Sequence, residues 1–413
     1  MSHLRRLLPG AALAGMIACG GAPPGARPLA GRGAEPDIRV ALATGASYVE
    51  IAGQGRVGGV SDGRTVFTLG AGEAVRVDVA GGGVRVSGTR AAGRYERLTF
   101  VSLEPSRHVI ASGKPYRGVI EVFRGGGGLT VVNELPMEAY LASVVTTEMG
   151  RRPRAERAAL EAQAVVSRTY AITSLGKYAS DGYDLSATVS DQAYGGVVEE
   201  TEIGREAVRA TAGRIVTYGG EPITTFFSST CGFSTASPQE VFRFGTELPY
   251  LAPVSDRRPG GGHYCDQSPR FRWTVEWDGA TLSRILRETV PAVLGVEGAM
   301  VDELRGVRVH HTGPSGRVVE ARVAVSRGEI PVFGPDLRRV FRTPEGRSLG
   351  STAFEVAVDK RAGRVERVTF AGAGWGHGVG MCQWGAVGRA RAGQSGEEIV
   401  TTYFAGTRIE RYY

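Results

Sequence analysis

Lysine is almost missing from this 413-residue chain. Lys114, Lys177 and Lys360 are the only three, and arginine supplies the rest of the 49 cationic side chains. Cations exceed the 42 acids by seven, yet the arginines are scattered among Asp and Glu rather than gathered into a stripe. A nucleic-acid surface normally shows such clustering or a recognisable reading motif, so nothing in the charge calls for nucleic acid and none is expected as a partner. Cysteine is scarce: Cys19, Cys231, Cys265 and Cys382 form no C-x-x-C pair, so metal-ligand spacing of the strongest kind is absent. No apolar run reaches the roughly 20 residues of a membrane-spanning helix, and no internal repeat is visible. What is abundant is glycine, 61 residues without a collagen-like period, which implies many turns and tight loops. With 42% apolar and 22% charged residues the chain can bury a sizeable core, and its length suits two to three domains.

The first 19 residues read as an export leader. Arg5 and Arg6 precede a short apolar run, Leu7 to Ala18, that ends in Met16-Ile17-Ala18-Cys19. Cys19 after Ile-Ala resembles a bacterial lipobox, although Met16 stands where Leu is usual. A membrane-anchored lipoprotein exported into the cell envelope, lipidated on Cys19, is therefore expected; a cleaved leader with an incidental Cys is the alternative. Residues 20–36, rich in Gly, Pro and Ala, form a flexible tether.

Residues 37–116 carry short alternating segments broken by glycines, such as Ala74-Val75-Arg76-Val77-Asp78-Val79, and predict a small all-β region of hairpins. The texture changes at Asn133. Pro136 suits a helix start, and Met137, Tyr140, Leu141, Val144 and Val145 follow i, i+3, i+4, i+7, i+8, one apolar helical face. A second helix is predicted from about 155 to 175, ending before Gly176. Its Ala158, Ala159 and Ala162 permit close packing against the first. Strands follow over 212–275, then a helix over 280–290, further strands, a helix near 381–392, and a capping box at Ser395 to Glu398 that opens a last short helix. The expected fold class is α+β, a β-rich body with a helical pair carrying the site.

Extending the first helix's stripe to i+11 lands on Glu148. An acid on an apolar face has its pKa raised by burial, as the general acid of glycoside cleavage requires. The alternative is that the helix ends near Thr147 and Glu148 turns to solvent. His377 lies in Gly374-Trp375-Gly376-His377-Gly378-Val379-Gly380-Met381-Cys382-Gln383-Trp384-Gly385, where alternate glycines let the backbone approach a neighbour closely and two Trp flank one imidazole. Flat indole faces suit sugar rings; a packed turn is the alternative. The segment is neither a dinucleotide fingerprint nor a phosphate loop. A Cys382/His377 nucleophile pair is conceivable. Cys231 and Cys265 form a disulfide by default in an exported protein, or hold zinc together with His263. His310 and His311, adjacent on a strand, point to opposite faces and are set aside as a metal pair.

Further motifs make the chain resemble the stage II sporulation protein D (SpoIID/LytB) family of peptidoglycan-acting proteins. They are Leu135-Pro136-Met137-Glu138-Ala139-Tyr140-Leu141 with Val144-Val145-Thr146-Thr147-Glu148-Met149, and Ala159-Leu160-Glu161-Ala162-Gln163-Ala164-Val165 with Arg168-Thr169-Tyr170-Ala171. Ser190-Asp191-Gln192-Ala193-Tyr194-Gly195-Gly196, Phe227-Ser228-Ser229-Thr230-Cys231-Gly232, the Gly374–Ala386 segment and Tyr403-Phe404-Ala405-Gly406-Thr407 complete them. The resemblance implies a catalytic domain over 117–413. Catalytic family members are lytic transglycosylases that cut glycan strands between N-acetylmuramic acid and N-acetylglucosamine, forming 1,6-anhydro ends. Their catalytic Glu falls on Glu148, and one carboxyl suffices because the muramoyl C6 hydroxyl is the nucleophile. An ordinary glycosidase needs two carboxyls, about 5–5.5 Å or 6.5–9.5 Å apart.

The resemblance further implies that Asp191 and His377 orient substrate or tune Glu148. Gln163, Arg168, Tyr194, Trp375 and Gln383 bind sugar or support the site. Cys382 stands where Ser is common. Gly261-Gly262-His263-Tyr264-Cys265 resembles relatives with Cys-x-x-Cys, which favours zinc on Cys231, His263 and Cys265; zinc and disulfide stay open. The chemistry itself needs no cofactor. Expected partners are peptidoglycan glycan strands, the membrane through the lipid anchor and, because the family includes amidase enhancers, a cell-wall amidase. A glycan-holding enhancer that does not cut is the second reading, and a zinc-dependent amidase the third.

Overall fold

The computed structural model describes residues 33–242, 247–296 and 301–413. The leader at 1–19, Cys19 and nearly all of the 20–36 tether lie outside the described residues. At its beginning the described chain is already pinned. Glu35 accepts the Glu138 backbone N–H at 2.7 Å, and the Pro36 carbonyl accepts that of Met137 at 3.0 Å.

The body is α+β. A seven-stranded sheet runs in the order Leu185–Ser186, Asp37–Ala46, Gly128–Pro136, Val119–Gly125, Arg97–Ser102, Val57–Ser61, Arg64–Leu69. A six-stranded sheet, Lys114–Tyr116, Val109–Ala111, Tyr48–Gly53, Ala74–Ala80, Gly83–Ser87, Ala92–Tyr95, packs against it. Alternation decides which side chains face inward. Val75, Val77, Val84 and Val86 are buried while Arg76 and Arg85 between them are exposed, and each buried Val contributes about 1.5–3 kcal/mol. Strands on both sides of residue 116 share the seven-stranded sheet, since Asp37–Ala46 pairs along Gly128–Pro136 from Asp37↔Pro136 onward.

That last strand leads directly into α1 (Met137–Met149), which packs against α2 (Arg157–Thr173). The predicted stripe is buried, but so are Ala142, Ser143 and Thr146, because neighbours cover α1 almost all round. The helix α2 starts after a 3₁₀ turn and ends three residues before Gly176, slightly inside the expected range. Its small residues let other helices close on it. The remaining helices are α3 (Glu202–Ala210), α4 (Pro238–Phe242), α5 (Gly279–Leu294), α6 (Asp336–Val340), α7 (Gln383–Arg391) and α8 (Gly396–Tyr403). Ser395 and Glu398 form the expected capping box on α8.

A second hydrophobic core, centred on Trp277, Leu286, Phe341, Phe354 and Phe370, is separate from the first. It fills two three-stranded sheets: Arg272–Asp278 with Arg364–Ala373 and Phe354–Arg361, and Leu304–Thr312 with Val318–Val325 and Gly328–Phe333. The helices α5 and α6 pack with these strands. His310 and His311 are exposed here, and His310 bridges Arg308 and Arg322, as suits a solvent face rather than a metal pair. Among the described residues no helix is long and apolar enough to cross a membrane.

Candidate active site

Glu148 sits in the last turn of α1, half-buried, at a cleft of about 630 Å³. The helix extends past Thr147, so Glu148 does not turn away to solvent. Its Oε1 accepts the Ala193 backbone N–H at 2.7 Å, and its Oε2 accepts Gln383 Nε2 at 3.3 Å. Burial pushes its pKa above the ordinary carboxylate value, and the two hydrogen bonds only partly offset that. No cation pairs with it among the described residues.

Asp191 lines the same cleft two residues before the Ala193 donor, and its pKa moves the other way. Burial raises it, but Lys177 at 2.6 Å, the Ser186 N–H at 2.9 Å and the Tyr170 hydroxyl at 2.9 Å outweigh that and hold Asp191 ionised. One cleft therefore holds a carboxyl that tends to keep its proton and a carboxylate that does not. Such divergence marks acid–base sites.

Trp375 and Gln383 also line the cleft, Gln383 as the first residue of α7. The expected glycine function is met. Gly374, Gly376, Gly378 and Gly380 all have positive φ, and a Cβ on Gly380 would lie 2.1 Å from the Phe226 carbonyl oxygen. His377 lines the cleft, but its ring is engaged by the protein. Nδ1 accepts the Val379 N–H at 3.0 Å, the ring is also hydrogen-bonded to the Phe227 backbone, and Phe242 packs at 5.3 Å. Burial first, then Arg317 and Arg338, lower its pKa to about 4, so it is neutral near pH 7. No hydrogen bond joins it to Cys382 among the described residues, which removes the basis for a Cys/His pair. Trp384 does not line the cleft; Arg152 stacks over it at 4.4 Å.

Three residues expected to bind sugar or support the site lie behind the cleft wall, in supporting positions. Arg168 is fully buried, bidentate to Glu138 at 2.7 and 2.8 Å, and donates to the Arg214 carbonyl. Tyr194 packs between Tyr116 and Tyr140 and donates to Asn133 at 2.6 Å. Gln163 is buried, donates to Ser167, and accepts from Gln383 at 3.4 Å. It supports the residue that holds Glu148 and does not face the cleft.

Tyr170, Arg270 and Arg338 line the cleft and were missed by the sequence reading. Gln163, Ser167 and Tyr170 fall at i, i+4 and i+7, a polar stripe on an otherwise small-residue helix that could have flagged Tyr170. Arg270, whose guanidinium stacks over Trp375 at 4.7 Å, and Arg338 come from distant segments and carry no local signal.

Behind the cleft, Cys231, Asp256, Cys265 and Cys382 bring one ligand atom each within 4.8 Å of one another, all buried. The thiols are free, and Cys231 and Cys265 sulfurs stand 3.6 Å apart. His263 is not in this cluster: its ring packs on Phe271, and Asp256 and Cys382 instead complete the set with Cys231 and Cys265. Burial pushes the Asp256 carboxyl up to about 6, with Cys382 adding to it. The Cys382 thiol is the most acidic of the three. Burial opposes its ionisation, but the Cys231 and Cys265 thiols and the Cys231 and Gly385 N–H groups outweigh that. A donor set of three thiols and a carboxylate suits tetrahedral zinc.

A protein-family model described as stage II sporulation protein matches residues 125–218, and one described as a domain of unknown function matches 258–380. An uncharacterized protein of Brachyspira hyodysenteriae is 31% identical over 306 residues, which cover 73% of this chain and 74% of that one. The stage II sporulation protein D of Bacillus subtilis is 27% identical over 326 residues, 75% of this chain and 84% of its own. The amidase enhancer of Bacillus subtilis is 26% identical over 380 residues, 84% of this chain but 51% of its own, so this chain spans about half of that relative. On these similarities, and on motifs that converge at one cleft, the chain belongs to the stage II sporulation protein D family.

Proposed function

We propose that this chain is a lytic transglycosylase that cuts peptidoglycan glycan strands between N-acetylmuramic acid and N-acetylglucosamine. Sporulation and amidase-enhancer relatives support a cell-wall role. The observation that carries the finer reading is Glu148, a half-buried carboxyl at the cleft with its pKa raised and no cation beside it. With Oε1 held by the short Ala193 hydrogen bond and Oε2 only by the longer one from Gln383, Oε2 is the oxygen better placed to carry the proton. Glu148 gives it to the glycosidic oxygen as the bond from that oxygen to the muramoyl C1 breaks. The muramoyl C6 hydroxyl then attacks C1 and returns its proton to Glu148, leaving a 1,6-anhydro end and consuming no water. Asp191, held ionised by Lys177 with its own side chain covered, orders the segment whose Ala193 N–H binds Glu148, and Trp375 offers a sugar face.

In this reading Cys231, Asp256, Cys265 and Cys382 hold a structural zinc that fixes the start of α7, and hence Gln383, without entering the reaction. The leader and Cys19 export the chain and anchor it by lipid in the cell envelope.

The test is mass spectrometry of products from purified glycan strands, comparing the parent chain with Glu148→Gln. Fragments ending in 1,6-anhydromuramic acid, produced by the parent and reduced by at least about 10²-fold in the variant, are expected. The second reading, a glycan-holding enhancer of an amidase, is favoured by the similarity to the amidase enhancer over 84% of this chain. It predicts no new ends from either protein and equal stimulation of a cell-wall amidase by both.

A further inference from the structure

We propose that the unit with the second core, beyond the cleft, binds the continuation of the same glycan strand through a groove that starts at Trp273. This rests on reading the cleft as a glycan-cutting site. The two surfaces are joined by a pair of indoles. A Cβ on Gly350 would lie 2.8 Å from Trp273 Nε1 and 2.9 Å from Trp375 Cε3, so both rings cover one glycine. Trp375 faces the Glu148 cleft. Trp273 lies against Gly372, where a Cβ would meet its ring at 2.1 Å, and its Nε1 donates to the Gly374 carbonyl at 3.0 Å. Any side chain at Gly372 would displace this indole, which the hydrogen bond fixes at the cleft's edge.

Beyond Trp273 opens a groove of about 400 Å³ lined by Phe233, Arg272, Trp273, Phe354 and Glu355. Phe233 covers Gly316, where a Cβ would sit 2.9 Å from its ring. Arg272 stacks over Phe271 at 3.8 Å, and Glu355 is exposed. The part-exposed Trp273 and Phe233, with core Phe354 as the floor and one exposed acid and one base at the rim, fit sugar rings, whose C–H faces lie on aromatic rings while hydroxyl and acetamido groups pair at the rim. A membrane surface or nucleic acid would call for a cluster of cations, whereas this groove sets the single Arg272 beside the acid Glu355. The cleft needs only the sugars on either side of the cut, and a strand leaving it across Trp375 meets Trp273 next. Residues 258–380, matched by a domain of unknown function, supply all of this groove except Phe233.

The test uses the full chain with Glu148→Gln, so that strands persist, and measures affinity for peptide-free glycan tetramers and octamers. Octamers should bind roughly tenfold more tightly than tetramers, and the added Phe233→Ala and Arg272→Ala substitutions should abolish that ratio. Equal tetramer affinity and equal melting temperature of the Glu148→Gln chain with and without the groove substitutions guard against misfolding. Carbodiimide labelling of Glu355 and oxidation of Trp273 should be suppressed by octamer and not by tetramer. An unchanged ratio, or equal labelling with both oligomers, overturns the proposal. If the parent chain yields no anhydro ends yet octamers bind more tightly than tetramers through this groove, the cleavage reading fails and the groove stands. Protection by free stem peptides in place of octamers would instead make this a peptide site and overturn the glycan assignment.

Discussion

At the scale of single residues, burial decides how strongly Glu148 holds its proton, and two contacts that favour the ionised form only partly offset it. Because its pKa is raised in the folded chain, the acid stays protonated above the ordinary carboxylate range, and cleavage should decline as pH rises through the raised value. Gln383→Leu removes the Oε2 donor, so the descending limb of the pH–rate profile should move to higher pH; a shift to lower pH would mean that Gln383 acts otherwise. Arg168 makes the opposite kind of contribution. Its side chain has no exposure and is paired with Glu138, itself mostly covered. Arg168→Ala would leave Glu138 without its partner and should cost about 3–5 kcal/mol in urea unfolding. The folded fraction should keep its KM for strands. A raised KM at unchanged stability would restore Arg168 as a sugar contact.

At the scale of elements, the site depends on how closely α7 can lie against its neighbours. A Cβ on Gly388 would stand 2.0 Å from the Tyr264 carbonyl, and one on Gly385 equally near the Tyr403 hydroxyl. Gly388→Ala should therefore cost about 1–3 kcal/mol and loosen Gln383 at the other end of the helix. Thermal melting should show the loss, and kcat measured well below the melting point should fall further than KM rises. The pairing of α1 with α2 follows from composition: alanines on α2 let the helices approach, and the polar stripe of Gln163, Ser167 and Tyr170 runs down its length. Both helices were legible from apolar spacing because a helix that buries a face must repeat it every three to four residues. The near-complete burial of α1 was not legible, because what covers its other faces comes from residues 193–210.

At the scale of the whole molecule, three segments far apart in sequence, at Cys231, at 256–265 and at Cys382, meet around one sulfur cluster. If Cys231, Asp256, Cys265 and Cys382 hold zinc, elemental analysis should find one ion per chain, and chelation should lower the melting temperature by several degrees. Cys382→Ser should abolish the metal while keeping the α7 cap. No bound metal, with three thiols titratable after unfolding, would leave the cluster as packed free thiols. Periodicity placed Glu148 on an inward helix, alternation placed the strands, and the glycine spacing at 374–380 announced a close backbone approach. All three are local signals, governed by how one segment must bury its own side chains. The partners of Glu148, the completion of the thiol cluster by Asp256 and Cys382 without His263, and the withdrawal of Arg168 and Tyr194 behind the cleft wall were decided only by tertiary structure. Each depends on which distant segment arrives to share a buried charge or hydrogen bond, and no local period carries that information.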